Sequence, residues 1–304
     1  MARQSPDLAA AMREIGAATE AALDRLLPRP EGAIARLDEA MRYACLGGGK
    51  RLRAVLCVAS ADLFGVPRTQ SLRAAAAIEM LHAYSLAHDD LPCMDDDDMR
   101  RGRPSLHRAF DEAMAVLAGD ALQTQAFAVL ADAETHAEAE VRLALVAGLA
   151  QASGARGMVG GQVIDIAAEQ RSAAGQPLDM AEISHLQALK TGALIRFSAE
   201  AGAILGRAGS AERSALRDYA ADLGLAFQIA DDILDREGSA EELGKAVGKD
   251  AAAGKATFVG LLGLEGARAR AAELTSSAQA RLASFGPAAG ILQALAEFVI
   301  TRRS

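Results

Sequence analysis

Apolar residues recur along this chain at three- and four-residue steps, the spacing that places them on one face of an α-helix. Residues 72 to 88 show it plainly, with Leu72, Ala76, Met80, Ala83 and Ala87 in one stripe. Similar stripes run through 7–27, 31–46, 120–134, 139–155 and 210–235. None of these segments alternates at period two, so helices rather than strands are expected. Around Ala74 to Ile78 and Leu143 to Ala152, small apolar residues occupy nearly the whole circumference, as in a helix enclosed by others in a large bundle. Gly and Pro punctuate the pattern at Pro28 and Pro30, Gly47-Gly48-Gly49, Gly65 to Pro67, Pro92, Gly102 to Pro104, Gly175 to Pro177 and from Gly238 to Gly254. Most of these breaks are short, and no Gly/Ser- or Pro-rich linker separates two halves. The expected architecture is all-α, a single-domain multi-helix bundle over residues 1–304.

Composition agrees with that expectation and narrows the function. A chain of 304 residues with 51% hydrophobic and 24% charged residues is globular rather than disordered. Aromatic content of 4% with no Trp favours helix over strand. The formal charge of −8 argues against a nucleic-acid partner, because phosphate backbones need a basic face. Three cysteines, Cys45, Cys57 and Cys93, form no CxxC pair, which fits a reducing cytoplasm and neither a disulfide framework nor a zinc cluster. The first residues, MARQSPDLAAAMREIG, acquire charges before any apolar run and are unlike a secretory signal. The longest uncharged run, Leu282 to Ala296, is about 15 residues and contains Gly286-Pro287, short of the roughly 20 that a spanning helix needs. A chain that does not span a membrane is expected.

Residues 88 to 98 read HDDLPCMDDDD, with six carboxylates in the ten positions from Asp89, and Arg100, Arg101 and Arg103 follow at once. Acidic runs are usually solvated loops, but this one ends an apolar helix. Adjacent unit charges repel by about 4 kcal/mol at 4 Å and an effective dielectric of 20. A hard divalent cation removes that penalty, and Mg²⁺ characteristically binds through a few carboxylates plus substrate phosphate oxygens. The neighbouring arginines offer planar donors to a polyphosphate. A second pattern, FQIADDILD, places Asp231, Asp232 and Asp235 near the end of another apolar helix, with Phe227 and Gln228 one turn back. If the two helices face each other, their carboxylates line opposite walls of a cleft and metal ions between them grip a diphosphate from both sides.

Basic residues complete the pattern. Gly47-Gly48-Gly49-Lys50-Arg51-Leu52-Arg53 is a glycine turn running into a helix start, where backbone N–H groups, Lys50 and Arg53 can hold an anion. A glycine helix terminus followed by exposed basic residues has the same appearance, and both readings stay open here. It is no Walker A loop, since Arg51 stands where Ser or Thr is required; the segment Gly248 to Lys255 fails likewise, with Ala256 in that place. His82 lies two turns before Asp89 on the same face, although a lone histidine is more often structural. Lys190-Thr191 falls inside an otherwise apolar helical stretch, where an uncompensated cation is costly, so a cleft-facing role is favoured.

Gly48-Gly49-Lys50-Arg51-Leu52-Arg53, Asp89-Asp90-x4-Asp95 with Arg100-Arg101, Gly161-Gln162-x-x-Asp165, Lys190-Thr191, Phe227-Gln228-x-x-Asp231-Asp232-x-x-Asp235 and Gly244-Lys245 together resemble the motifs of trans-isoprenyl diphosphate synthases. The likeness covers almost the whole chain in the family's order, down to a basic end with Arg302 and Arg303, and is nearest to the short-chain bacterial farnesyl type. It implies an isoprenoid synthase fold with a central active-site cavity, a homodimer, three Mg²⁺ ions with Mn²⁺ able to substitute, and condensation of isopentenyl diphosphate with allylic diphosphates. Carried over, Asp89, Asp95 and Asp231 are the principal metal ligands, supported by Asp90, Asp232 and Asp235. Arg100, Lys190 and Lys245 hold the allylic diphosphate; Lys50, Arg53, His82 and Arg101 hold isopentenyl diphosphate; Gln162, Asp165 and Lys255 complete the substrate-binding set. Lys190, Thr191 and Gln228 stabilise the allylic cation. The segment 237–255 reads as a flap over the phosphates or equally as a surface loop. Tyr84, five residues before Asp89, and small Ser85 beside it resemble the pattern that stops growth at C15. Rival expectations are a C20 or C10 synthase of the same family, a terpene cyclase, and a non-catalytic subunit. A cyclase needs no second anion site and usually has many aromatics around its cavity, and a non-catalytic subunit should have lost carboxylates that are all present here.

Overall fold

In the computed structural model, residues 7–237 and 257–302 are described. Each apolar stripe corresponds to a helix: α1 is Leu8–Leu26, α2 Ala35–Cys45 after a short 3-10 turn at Gly32–Ile34, α3 Leu52–Asp62 and α4 Arg68–Asp89. After the small helix α5, Leu106–Ala109, come α6 Glu112–Ala131, α7 Ala139–Ser153, α8 Met158–Ala173 and α9 Met180–Lys190. The chain continues with α10 Gly192–Leu205, α11 Ser210–Glu237, α12 Phe258–Arg281, a 3-10 segment Ala283–Ala289 and α13 Gly290–Thr301. The stripe at 120–134 understates α6, which begins at Glu112 because Asp111 caps it by accepting from Met114 N at 2.8 Å.

The most enclosed helices form the middle of the bundle. In α3, residues 54 through 61 are all buried, and α10 shows water little beyond Arg196 and Glu200. α10 lies between α3 and α11, α4 packs along α6, and α8 pairs with α9. Helices that are apolar all round have no choice but the interior, so the observed core is one continuous cluster.

Two features depart from the simple pattern. Met99–Arg100 and Arg103–Pro104 form a two-residue antiparallel hairpin, tightened by Arg101 and Gly102 at φ 52° and 73°. That backbone suits a hairpin turn, but an arginine there gives no sequence signal. Also, Glu112–Ala131 and Ala283–Thr301 are long and apolar enough, by length and composition, to cross a membrane. The count of uncharged residues had suggested no such segment, since it rejects a helix interrupted by Asp120. In the fold, α6 buries Ala115, Ala118, Leu122, Ala126 and Val129, while Leu117 remains 53% exposed.

Candidate active site

The first aspartate motif sits where α4 ends. Asp90 caps the helix, the chain turns back through Leu91 to Met94, and Asp95 N donates to Asp89 O at 2.8 Å. This turn returns Asp95 to the level of Asp89. Burial pushes the Asp89 carboxyl up from 3.8 to about 6; Lys190 opposes that shift and Asp95 adds to it. The neighbouring carboxylates are differently placed. Asp90 is 2% exposed and takes Arg100 Nε at 3.1 Å, and Arg100 also reaches Asp97 at 3.3 Å. Asp98 is engaged by Arg108. Among the described residues, Asp89 and Asp95 make no ion pair, so these two carboxylates are left for a cation. A separate grouping, Asp96, Asp98 and His107, has ligand atoms within 4.8 Å of one another.

The second motif lies on α11. Asp231, Asp232, Asp235 and Gln228 line a cavity of about 220 Å³ together with Lys190 and Asp165. Lys190 ion-pairs with Asp165 on α8 and also stabilises ionised Asp89 electrostatically. Lys190 thus lines the cavity of the second motif and also acts on Asp89 of the first. Its placement depends on Gly161, where a Cβ would lie 2.2 Å from Lys190 N and 2.5 Å from its Cα. The adjoining Gln162 has a buried side-chain amide with neither atom hydrogen-bonded among the described residues. Thr191 lies at the joint between α9 and α10.

Two carboxylates of the second motif already have protein partners. Asp232 accepts from Phe258 N at 2.7 Å, tying α11 to the start of α12. Asp231 accepts from Arg302 at 2.6 Å, and the Arg302 guanidinium stacks 3.8 Å over the Phe227 ring. The Arg302 side chain is 5% exposed, and burial pushes its pKa down, with Asp231 opposing.

The glycine turn supplies the basic wall, although less through its backbone than the sequence suggests. Gly48 N and Ala54 N donate at 3.2 Å to Glu20 and Glu79, so these two backbone donors near the start of α3 are held by carboxylates. Arg51, in the left-handed region at φ 48°, is buried and pairs with both Glu79 and Glu20. The side chains remain: Arg53 has a buried Nε with no partner among the described residues, and burial pushes its pKa down while Glu79 opposes. Lys50 is lowered by burial and by Arg302. Arg101 donates to Gly48 O at 2.7 Å and lies against Gly49. Burial and then Arg53, Arg101, Arg51 and Arg100 hold His82 well below its usual pKa. A cluster of cations around a neutral histidine is a site for an anion.

Tyr84 is half-buried against the core, and Ser85 Oγ bonds back to His82 O at 2.9 Å. Lys245 and Lys255, with Gly244 and Arg303, lie outside the described residues, as does most of the 237–255 segment.

Comparison with known proteins places this geometry. The polyprenyl synthetase family matches residues 34–285. The chain belongs to that family. A farnesyl diphosphate synthase of Geobacillus stearothermophilus is 43% identical over 286 residues, 94% of each chain. A chloroplastic geranylfarnesyl diphosphate synthase of Leucosceptrum canum is 46% identical over 97% of this chain and 80% of its own. Among solved structures, an FPP/GFPP synthase from Zymomonas mobilis superposes with a TM-score of 0.89 at 49% identity, covering 97% of this chain and 100% of the other. This polyprenyl synthetase is a prenyltransferase of the all-α isoprenoid synthase fold, in a family that acts on isopentenyl and allylic diphosphates. The relatives' names differ in product length.

Sequence reasoning missed Glu79, which anchors Arg51 and a backbone N–H of α3. Its signal was present: one carboxylate inside the apolar stretch AAAAIEML must find a cation. His88 was also passed over.

Proposed function

We propose that this enzyme joins isopentenyl diphosphate head-to-tail to dimethylallyl and then geranyl diphosphate, giving farnesyl diphosphate (C15) and diphosphate. The observation that supports this reading best is the shared position of Lys190, which lines the cavity of the second motif and acts on Asp89 of the first. The all-oxygen donor set fits Mg²⁺: Asp89, Asp95 and Asp231 are the principal ligands, with Asp90, Asp232 and Asp235 as support. When bound, the metal neutralises charge on the departing diphosphate.

The protein's own groups do the rest. Lys190 and Arg100, with Lys245, orient the allylic diphosphate. Lys50, Arg53, neutral His82 and Arg101 hold isopentenyl diphosphate. As the C1–O bond of the allylic substrate breaks, its electron pair leaves with diphosphate, and dipoles of Thr191 and Gln228 face the cation. The isopentenyl double bond forms the new C–C bond, and the proton then lost passes to the released diphosphate. Tyr84 closes the floor of the chain tunnel about 7.5 Å along α4 from Asp89 at 1.5 Å per residue.

The enzyme is further read as a cytoplasmic homodimer. Its three cysteines are free, and α6 and α7 leave Leu117 and Leu143 exposed at 53% and 68%. Light scattering that returns a mass near 31.5 kDa at micromolar protein contradicts the dimer. The decisive assay combines Mg²⁺, labelled isopentenyl diphosphate and dimethylallyl diphosphate and measures product length. A C15 product is expected. A C20 product assigns the chain to the longer-product members, and none at all removes the catalytic reading.

A further inference from the structure

Tyr84 does not stand alone. His88, one turn along α4, presents its ring edge-to-face to Tyr84, with centroids 4.9 Å apart and planes at 78°. The same imidazole spans to α6, its Nε2 lying 3.0 Å from Val116 O. A carbonyl oxygen only accepts, so Nε2 carries the proton and the ring orientation is fixed. Room for the ring comes from Gly119: a Cβ at that position would sit 2.1 Å from Nε2 and 2.5 Å from Cδ2 of His88. Among the described residues, the Tyr84 hydroxyl makes no hydrogen bond that would hold the side chain in place. Its position rests on packing, and His88 is the aromatic partner in that packing.

We infer that His88, seated in the gap left by Gly119, is the positioning residue that keeps Tyr84 across the tunnel, so product length is set by a unit spanning α4 and α6. The inference rests on the reading of Tyr84 as the floor. Without the imidazole, Tyr84 loses the ring that limits its swing toward α6, and the tunnel deepens although the tyrosine is intact. A methyl group at 119 has the same effect by expelling the ring. Neither His88 nor Gly119 needs to touch substrate.

The test measures products chromatographically for wild type, Tyr84→Ala, His88→Ala, Gly119→Ala and the double variant Tyr84→Ala/His88→Ala. The C20:C15 ratio is internal to each reaction, so it does not depend on turnover lost through the proximity of His88 to Asp89. His88→Ala and Gly119→Ala are each expected to raise that ratio about tenfold, the lower end of what pocket contacts confer on substrate choice. The double variant is expected to match Tyr84→Ala, because His88 acts through the tyrosine. If Tyr84→Ala lengthens the product while His88→Ala leaves it unchanged or shorter, the inference is wrong and the floor reading survives. An unchanged product from Tyr84→Ala overturns the floor reading itself. Should Gly119→Ala fail to fold, His88→Ala and the double variant decide the matter.

Discussion

The two aspartate motifs carry similar residues in opposite circumstances. On α4, Asp89 is desolvated, and burial pushes its pKa up to about 6. On α11, the Asp231 side chain is 49% exposed and already accepts from Arg302. The first motif stores electrostatic cost until a cation arrives, whereas the second is partly compensated by the protein. Identical carboxylates are thus differently primed by burial and by their neighbours, a distinction that motif spelling cannot express.

The largest effects should erase the comparison. Asp89→Asn and Asp231→Asn are each expected to lower turnover at least about a hundredfold, through loss of a few kcal/mol of transition-state stabilisation. Full activity in either variant, or in excess chelator, would disprove a metal clamp built from both motifs.

Next come the two anion sites proposed above. Arg53→Ala is expected to raise KM for isopentenyl diphosphate about tenfold and the allylic KM little, the loss of one charge-assisted contact. Lys190→Ala should do the reverse. Steady-state kinetics with equal losses for both substrates in each variant would merge the sites.

Acidity sharpens the contrast in the metal-free protein. Between 3.8 and about 6 the folded protein keeps a proton on Asp89 that the unfolded chain has lost. Its ionisation therefore lowers stability as pH rises through that window, and below about 6 protons compete with metal. Mn²⁺ affinity, measured by titration without substrate, is expected to fall about tenfold per pH unit below 6 in wild type. Asp89→Asn should flatten that slope; an unchanged slope would mean another group governs it.

The smallest effect differs in sign between the motifs. Without metal, Asp89→Asn relieves repulsion and should raise Tm by about 2 °C, whereas Asp231→Asn removes the partner of buried Arg302 and should lower it similarly. Calorimetry showing the same sign for both would remove the proposed asymmetry.

What was legible in the sequence follows from which forces are local. Helices α4 and α11 were visible because an apolar stripe repeats every turn, and the carboxylates ending them were visible as charges that an apolar helix does not need. The position of Lys190 was hidden, since it depends on the close packing of α8 on α9 at Gly161. The pairing of Asp90 with Arg100 was hidden too, because it depends on a hairpin whose turn uses Arg101 in a backbone region that arginine seldom occupies. Likewise, Gly48 N and Ala54 N looked available for an anion until Glu20 and Glu79 were seen to hold them.

Gly161 shows how activity can depend on a residue with no chemistry of its own. Any side chain there meets the Lys190 backbone at 2.2 Å, and a displacement of about 1 Å at a catalytic group can cost a hundredfold in rate. A mutational scan scored only by turnover would rank Gly161 beside the aspartates. Scored by abundance, the same scan would single it out only if α8 and α9 came apart. The two readouts together would separate residues that react from those that leave room for them.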